Sequence, residues 1–180
     1  MNLEKLIKEH AVDSAANILV NTPTYAALEF LLLSWDRNKS LNARALSIGL
    51  AVAGMGYINA KGRDIYRKLL NITDVSKERM QRVQDKLYQF GFGMMLNPLF
   101  YYASGQRNVK ELVVGSLTNA LVSLYIGDKL GIVIDCARDI TNIQKSHRTP
   151  EFIKKNKYAV AIGSVVASAA LTYLIYNVKS

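Results

Sequence analysis

Three carboxylates, Asp13, Glu29 and Asp128, lie within long, otherwise apolar stretches, and Asp135 follows Asp128 by two helical turns. A charge at the centre of a bilayer costs roughly 2.5 to 3.5 kcal/mol on insertion scales, so a carboxylate kept there is a candidate for proton or substrate chemistry. Asp13, Asn17 and Asn21 recur every fourth residue and, with Thr24, form one polar stripe on a helix. Glu29 falls about 160° away from that stripe at about 100° per residue. Pro23 stands between them, and its missing N–H and ring clash are expected to kink the helix and bring Glu29 back toward the stripe. Asn119 and Ser123 share a face further along the chain, ahead of Gly127-x-x-x-Gly131 with Asp128-Lys129 between the glycines. A poorly solvated carboxylate can carry a proton through a span, and a zwitterion needs an anion for its ammonium and a cation or a helix N-terminus for its carboxylate. Asp13, Glu29 and Asp128 are candidates for the anion, and Arg44 or Arg63, the latter followed by Asp64, for the cation.

Plainer readings compete at several of these positions. Asp13 lies close to a helix start, where an acidic residue also serves as a cap. Anchoring at a membrane interface is the favoured single reading of Arg63 and Arg138, and GxxxG is above all a packing motif, within one subunit or across a dimer. No Ser/His/Asp or Cys/His arrangement, phosphate-cradling glycine loop or dinucleotide fingerprint is present, which argues against an enzyme and against a cofactor. Cys136 is the single cysteine, and His10 and His147 stand apart, so no metal site is expected.

The elements that must position these residues are long helices. Five apolar stretches, about 11–33, 41–59, 83–103, 112–136 and 158–178, are separated by short charged segments. A spanning helix needs roughly 20 mostly apolar residues, and the pattern therefore predicts an all-α integral membrane protein with about five transmembrane helices in one domain. Gly91, Gly93 and Asn97-Pro98 predict a bend or break near the outer end of the third. Ala159, Gly163 and Ala167, with Ser164 and Ser168, predict a packing face on the fifth, and residues 60–82, with an apolar comb at Ile65, Leu69, Leu70, Ile72 and Val75, read as an interfacial helix or a solvated one. Of the 23 Lys and Arg, sixteen fall on one side of such an arrangement and six on the other, with Lys129 inside a span. Positive charge gathers on the cytoplasmic side, which predicts the N-terminus inside and the C-terminus outside a cytoplasmic (inner) membrane. Because the cations sit between apolar runs rather than on a basic face, the net charge of +9 does not point to nucleic acid.

With those residues in place, the chain resembles the small bacterial L-alanine exporter family over about residues 10–140. Asn119-x-x-Val122-Ser123-x-x-x-Gly127-x-x-x-Gly131-x-x-x-Asp135-x-x-Arg138 is similar to that family's last helix, and His10-Ala11-Val12-Asp13 with Glu29 to its first. Arg44 and Arg63-Asp64 look like positions flanking its second helix, and Asp85 with Pro98 fits the third. The family has four spans and ends soon after the Asp-x-x-Arg, whereas this chain continues through a basic segment and a fifth helix. The resemblance implies export of a small amino acid, L-alanine first, driven by the proton gradient. The candidate coupling and substrate residues are Asp13, Asn17, Asn21, Glu29, Arg44, Arg63, Asp64, Asn119, Asp128 and Asp135, with Gly127 and Gly131 packing helices; Asp13, Glu29 and Asp128 are expected to line one cavity. So small a protein is expected to form a homodimer or larger. A non-transporting membrane scaffold or a small channel is the alternative.

Overall fold

In the computed structural model, residues 3–178 are described and fold entirely as helices and turns, without a strand. Lys179, counted above among the outer cations, lies outside the described residues. Helix α1 (Leu3–Ala27) continues through a π-helical turn at Leu28–Leu32. Helix α2 (Arg37–Leu50) runs through a second π-helical turn (Ala51–Met55) into α3 (Gly56–Leu69). Then come α4 (Glu78–Ala103), α5 (Val109–Ile140), the single turn α6 (Glu151–Lys155) and α7 (Lys157–Asn177). Each of the five expected stretches is helical, and two helical stretches, Arg37–Leu69 and Lys157–Asn177, are long and apolar enough to cross a membrane. Helices α1, α4 and α5 fall below that mark because each turns a polar stripe inward.

Successive passes alternate in direction. Glu29 meets Arg44, Lys39 meets Glu111 and Trp35 meets Tyr101 at one end of the bundle, while Asp13, Asp64, Asp85 and Asp135 gather at the other. Helix α7 runs parallel to α1, with Tyr176 against Phe30. The first described residues and the last therefore lie at opposite ends.

Polarity is arranged the reverse of a water-soluble bundle. The buried apolar groups form three separate small clusters, in which Ala16, Ala60, Ala26 and Ala43 pack beside Leu130, Ile134, Phe30, Tyr176, Trp35 and Tyr101. Many other large ones face out, among them Leu117 and Leu121 on α5, Met95 and Leu99 on α4, and Tyr158, Ile162, Val166 and Leu174 on α7. Inside lie side chains spaced by four: Asp13 and Asn17 on α1, Asn59, Arg63 and Arg67 on α3, Gln81, Asp85 and Gln89 on α4, and Asn119 and Ser123 on α5.

Two breaks in helical register set the interior. Gly54, at φ +126°, interrupts the second pass in a conformation open in practice only to glycine, a break the Ala- and Gly-rich sequence did not announce. The loosened turn leaves carbonyls free, and α1 takes them: Ser14 Oγ donates to the Ala51 carbonyl at 2.8 Å and His10 Nε2 to that of Val52 at 2.8 Å. On α1, the change in register comes at Leu28–Leu32, five residues beyond Pro23. Pro23 has no N–H for the Leu19 carbonyl, and Ser168 Oγ of α7 donates to it at 3.0 Å. Ser168→Ala should lower stability by about 1 kcal/mol, the cost of a buried acceptor left bare, read as a lower midpoint in thermal unfolding of the purified protein. A midpoint unchanged from wild type would show that the carbonyl has another donor.

Three expectations are corrected. Helix α4 runs unbroken through Asn97-Pro98, because it packs against α5 along its length. Residues 60–82 do not form an interfacial helix: 60–69 complete α3, with Arg63 and Arg67 turned inward, and turns follow before α4 starts at Glu78. Of the small-residue face of α7, Ala159, Gly163, Ser164 and Ala167 are exposed and only Ser168 packs, meeting α1, with Tyr176 making the other contact at that end.

Candidate functional site

Where the second pass breaks, α1, α4 and α5 line a half-open cavity of about 340 Å³ that reaches the surface past Leu50 and Leu99. Its polar lining comes from the inward stripes. Asn17 and Asn21 rise from α1, Asn59 from α3, Gln89 and Asn97 from α4, Asn119 and Ser123 from α5, and Arg44 from α2. At one end the carboxamides bond one another: Asn59 Nδ2 donates to Asn17 Oδ1 at 2.7 Å, and Gln89 Nε2 to Asn59 Oδ1 at 3.1 Å. At the other, the Tyr25 and Ser123 hydroxyls are 2.7 Å apart and the Arg44 guanidinium lies over the Tyr25 ring, 5.4 Å from its centroid. Asn119 Nδ2 donates to the Tyr101 hydroxyl at 2.8 Å, while Asn119 Oδ1 and Asn21 Oδ1 are buried without a hydrogen-bond partner. An unmet buried acceptor costs about 1 to 3 kcal/mol, and both of these oxygens are sealed from the cavity space by their neighbours.

Glu29 and Arg44 form an ion pair beside this cavity. Glu29 is fully buried; it accepts from Arg44 Nε at 3.1 Å, from Arg44 Nη2, and from Ser40 Oγ at 2.9 Å. Since the Ser40 proton goes to Glu29, Tyr176 is the donor in its 2.8 Å contact with Ser40. The guanidinium is thus held edge-on by two of its nitrogens, and Nη1 makes no bond among the described residues. Nearby, at the mouth of the bundle, Lys39 Nζ lies 2.8 Å from Glu111, and that hydrogen bond holds the Glu111 carboxyl below the usual carboxylate range.

The opposite end is closed by four guanidiniums facing four carboxylates. Arg138 grips Asp13 through Nε and Nη2, both at 2.7 Å, and reaches Asp64 with Nη1 at 2.7 Å. Arg63 bonds Asp135 and donates to the Gly131 carbonyl at 2.7 Å. Arg67 meets Asp85 at 3.0 Å and Asp135 at 3.2 Å. Arg148, carried in by the loop after α5, meets the same two carboxylates at 2.7 and 2.8 Å. With equal numbers of each sign, the cluster carries no net charge, which is the condition for burying so many ions together.

The residues singled out in the sequence therefore separate into distinct places. Asn17, Asn21, Arg44 and Asn119 line the cavity, whereas Asp13, Arg63, Asp64 and Asp135 belong to the ion cluster. The three carboxylates do not share a cavity. Asp13 and Glu29 are sixteen residues apart on one helix, about 24 Å at 1.5 Å per residue, and each is taken by an arginine. Asp128 lies between Lys86 at 3.8 Å and Lys129 at 3.5 Å, outside the cavity lining. Arg63 and Arg138 are not surface anchors, being almost wholly buried. Asp13 pairs across the bundle rather than capping its own helix.

Gly127 and Gly131 are filled within the subunit. A Cβ on Gly131 would stand 2.1 Å from Asp85 Oδ2, and one on Gly127 2.9 Å from the Lys86 Cα, so the motif seats α4. It gives no ground for expecting a dimer. Sequence reasoning passed over Arg67, Asn59, Gln89 and Arg148, and Gln84, whose carboxamide oxygen accepts from Arg67 Nε at 3.0 Å. The spacing of Gln81, Asp85 and Gln89 held the signal for α4, one polar residue per turn running from just before an expected span into it. Arg148 had none, as it lies in a loop. Among the described residues, no group of His, Cys, Asp and Glu is placed to hold a metal ion. No family model, curated protein or solved structure matches the chain.

Proposed function

We propose that this chain is a five-span protein of the cytoplasmic membrane, N-terminus inside, that exports a small amino acid in exchange for protons, with L-alanine as the first candidate. The observation that carries the reading is the cavity itself. A broken helix borders it, carboxamide and hydroxyl side chains line it, and a guanidinium keeps one nitrogen for a further partner. These are the groups that an ammonium and a carboxylate require, beside a discontinuous helix of the kind that frames substrate sites in transporters. A scaffold has no use for a polar-lined space beside a broken helix, and an open channel is at odds with the ion cluster that plugs one end.

Glu29 is the carboxyl coupled most directly to the cavity, through Arg44. A proton taken up by Glu29 from the outer side removes the charge that holds Arg44, and so unties α1 from α2 at that end. Substrate release outward and proton entry then share one opening. The neutral cluster at the other end must part for the inward-facing state, which several bonds between α3, α4 and α5 make slow but reversible.

Everted membrane vesicles containing the protein should accumulate radiolabelled L-alanine when an acid-inside pH gradient is imposed, and should lose it when the gradient is collapsed with an ionophore. Accumulation equal to that of vesicles lacking the protein would overturn the reading.

A further inference from the structure

Of the four guanidiniums in the ion cluster, three stand on helices: Arg63 and Arg67 on α3 and Arg138 on α5. Arg148 stands on the connection 141–150, between the end of α5 and the start of α6. Its side chain is as buried as that of Arg138, yet the loop that carries it has no apolar anchor, since Ile143 is half-buried, Pro150 is exposed and the other side chains are polar. Charge and hydrogen bonding hold it instead. Arg148 meets Asp85 and Asp135 within the cluster and, through Nε, Glu78 at 3.2 Å. Asp74, in the turns before α4, accepts from Ser146 Oγ and from the His147 N–H, both at 3.0 Å. A second cavity of about 340 Å³ borders Arg148 and is lined also by Asp74, Glu78, Gln81 and His147. The guanidinium therefore has room to leave the cluster while keeping exposed Glu78, an anion it already touches.

We propose that residues 141–150 are a latch locked by Arg148, and that they lift away from the cluster as a unit while the helices stay packed. The segments of a protein that open first are those with few buried apolar contacts, because lifting them brings little apolar surface into water. Parting α3, α4 and α5 would break the pairs of Arg63, Arg67 and Arg138 as well. Withdrawal of Arg148 leaves those three guanidiniums facing Asp13, Asp64, Asp85 and Asp135, with one negative charge unbalanced. A buried charge without its counter-ion draws in water, so the cluster wets from the side the loop has left. On the exporter reading, on which the latch's role in transport rests, lifting is the step that opens the bundle to the cytoplasm.

Cys136, the chain's single cysteine, reports the motion without an added probe: it is buried, with Sγ 3.9 Å from the Arg148 carbonyl oxygen. In the purified full-length protein in lipid nanodiscs, the rate at which a water-soluble maleimide labels Cys136 should rise at least about tenfold on Asp74→Ala, the least that loss of one hydrogen bond to a charged group implies. Ser146→Ala, which removes only one of the two Asp74 bonds and leaves every charge in place, should fall between wild type and Asp74→Ala, and it carries the test if Asp74→Ala does not fold. Ala60→Cys in a Cys136→Ser background marks loosening of the helices, because Ala60 is fully buried between α1, α3 and α5. Its labelling should be no faster with either change than without. Cys136 labelled at the wild-type rate in every variant that folds, or Ala60→Cys speeded as much as Cys136, would overturn the proposal. Labelling does not require transport, so vesicles that fail to accumulate alanine would remove the exporter reading and leave the latch standing.

Discussion

Arg63→Ala is expected to leave little folded protein. The side chain is fully buried, bonds Asp135, and caps the Gly131 carbonyl at 2.7 Å, so its removal strands an anion and an acceptor in the interior. Breaking a buried pair on one side costs about 3 to 5 kcal/mol, a large share of the 5 to 15 kcal/mol that holds a typical domain together. The companion Arg63→Gln with Asp135→Asn removes one charge of each sign and keeps the cluster neutral. Through that restored balance it should recover more than half of the loss. Fluorescence-detected size exclusion after a temperature series would read both variants. An Arg63→Ala protein as heat-resistant as wild type would mean that water or lipid headgroups reach the cluster and replace the guanidinium.

Glu29→Gln is expected to abolish accumulation driven by the pH gradient while leaving exchange of labelled for unlabelled substrate across the membrane intact. Glutamine keeps the size and an acceptor for Arg44 and Ser40 but cannot take up or release the proton. Exchange requires the carrier to turn over loaded in both directions and so does not depend on that proton. Asp128→Asn is the contrast. Asp128 was an equal candidate in the sequence, but it sits between two partly exposed lysines away from the cavity, and its variant should retain accumulation within about twofold of wild type. Full accumulation with Glu29→Gln would remove Glu29 from coupling, and loss of exchange as well would make it a structural partner of Arg44.

The sequence was most legible where one rule sufficed. Helix placement followed from apolar length, and α7, the most uniformly apolar helix, lies within a residue of its expected limits. The stripe of Asn17 and Asn21 pointed to the cavity because spacing by four is fixed by the helix itself. What failed was every inference about partners across the bundle. Asp13 and Glu29 looked alike as carboxylates within one helix, and only the folded chain assigns one to Arg138 and the other to Arg44. Rotation about the helix axis is equally hidden: an extra residue in each π-helical turn shifts the following face by about 100°, and nothing in Leu28–Leu32 or Ala51–Met55 marks the shift in advance except Gly54. The glycine pair was read correctly as packing, while its neighbour on α4 was beyond reach of the pattern.

The pairing of Asp13 with Arg138 has a consequence for the order of synthesis. The two are 125 residues apart, and at 5 to 20 residues per second the arginine leaves the ribosome about 6 to 25 s after the aspartate. Throughout that interval, the first helix carries a carboxylate with no counter-ion from α5, and a Leu19 carbonyl that waits longer still for Ser168. The newborn α1 therefore cannot settle into its final surroundings when it emerges. It must be held by water or by other molecules until the last third of the chain arrives, and a nascent chain truncated before Arg138 should be the form that quality control recognises.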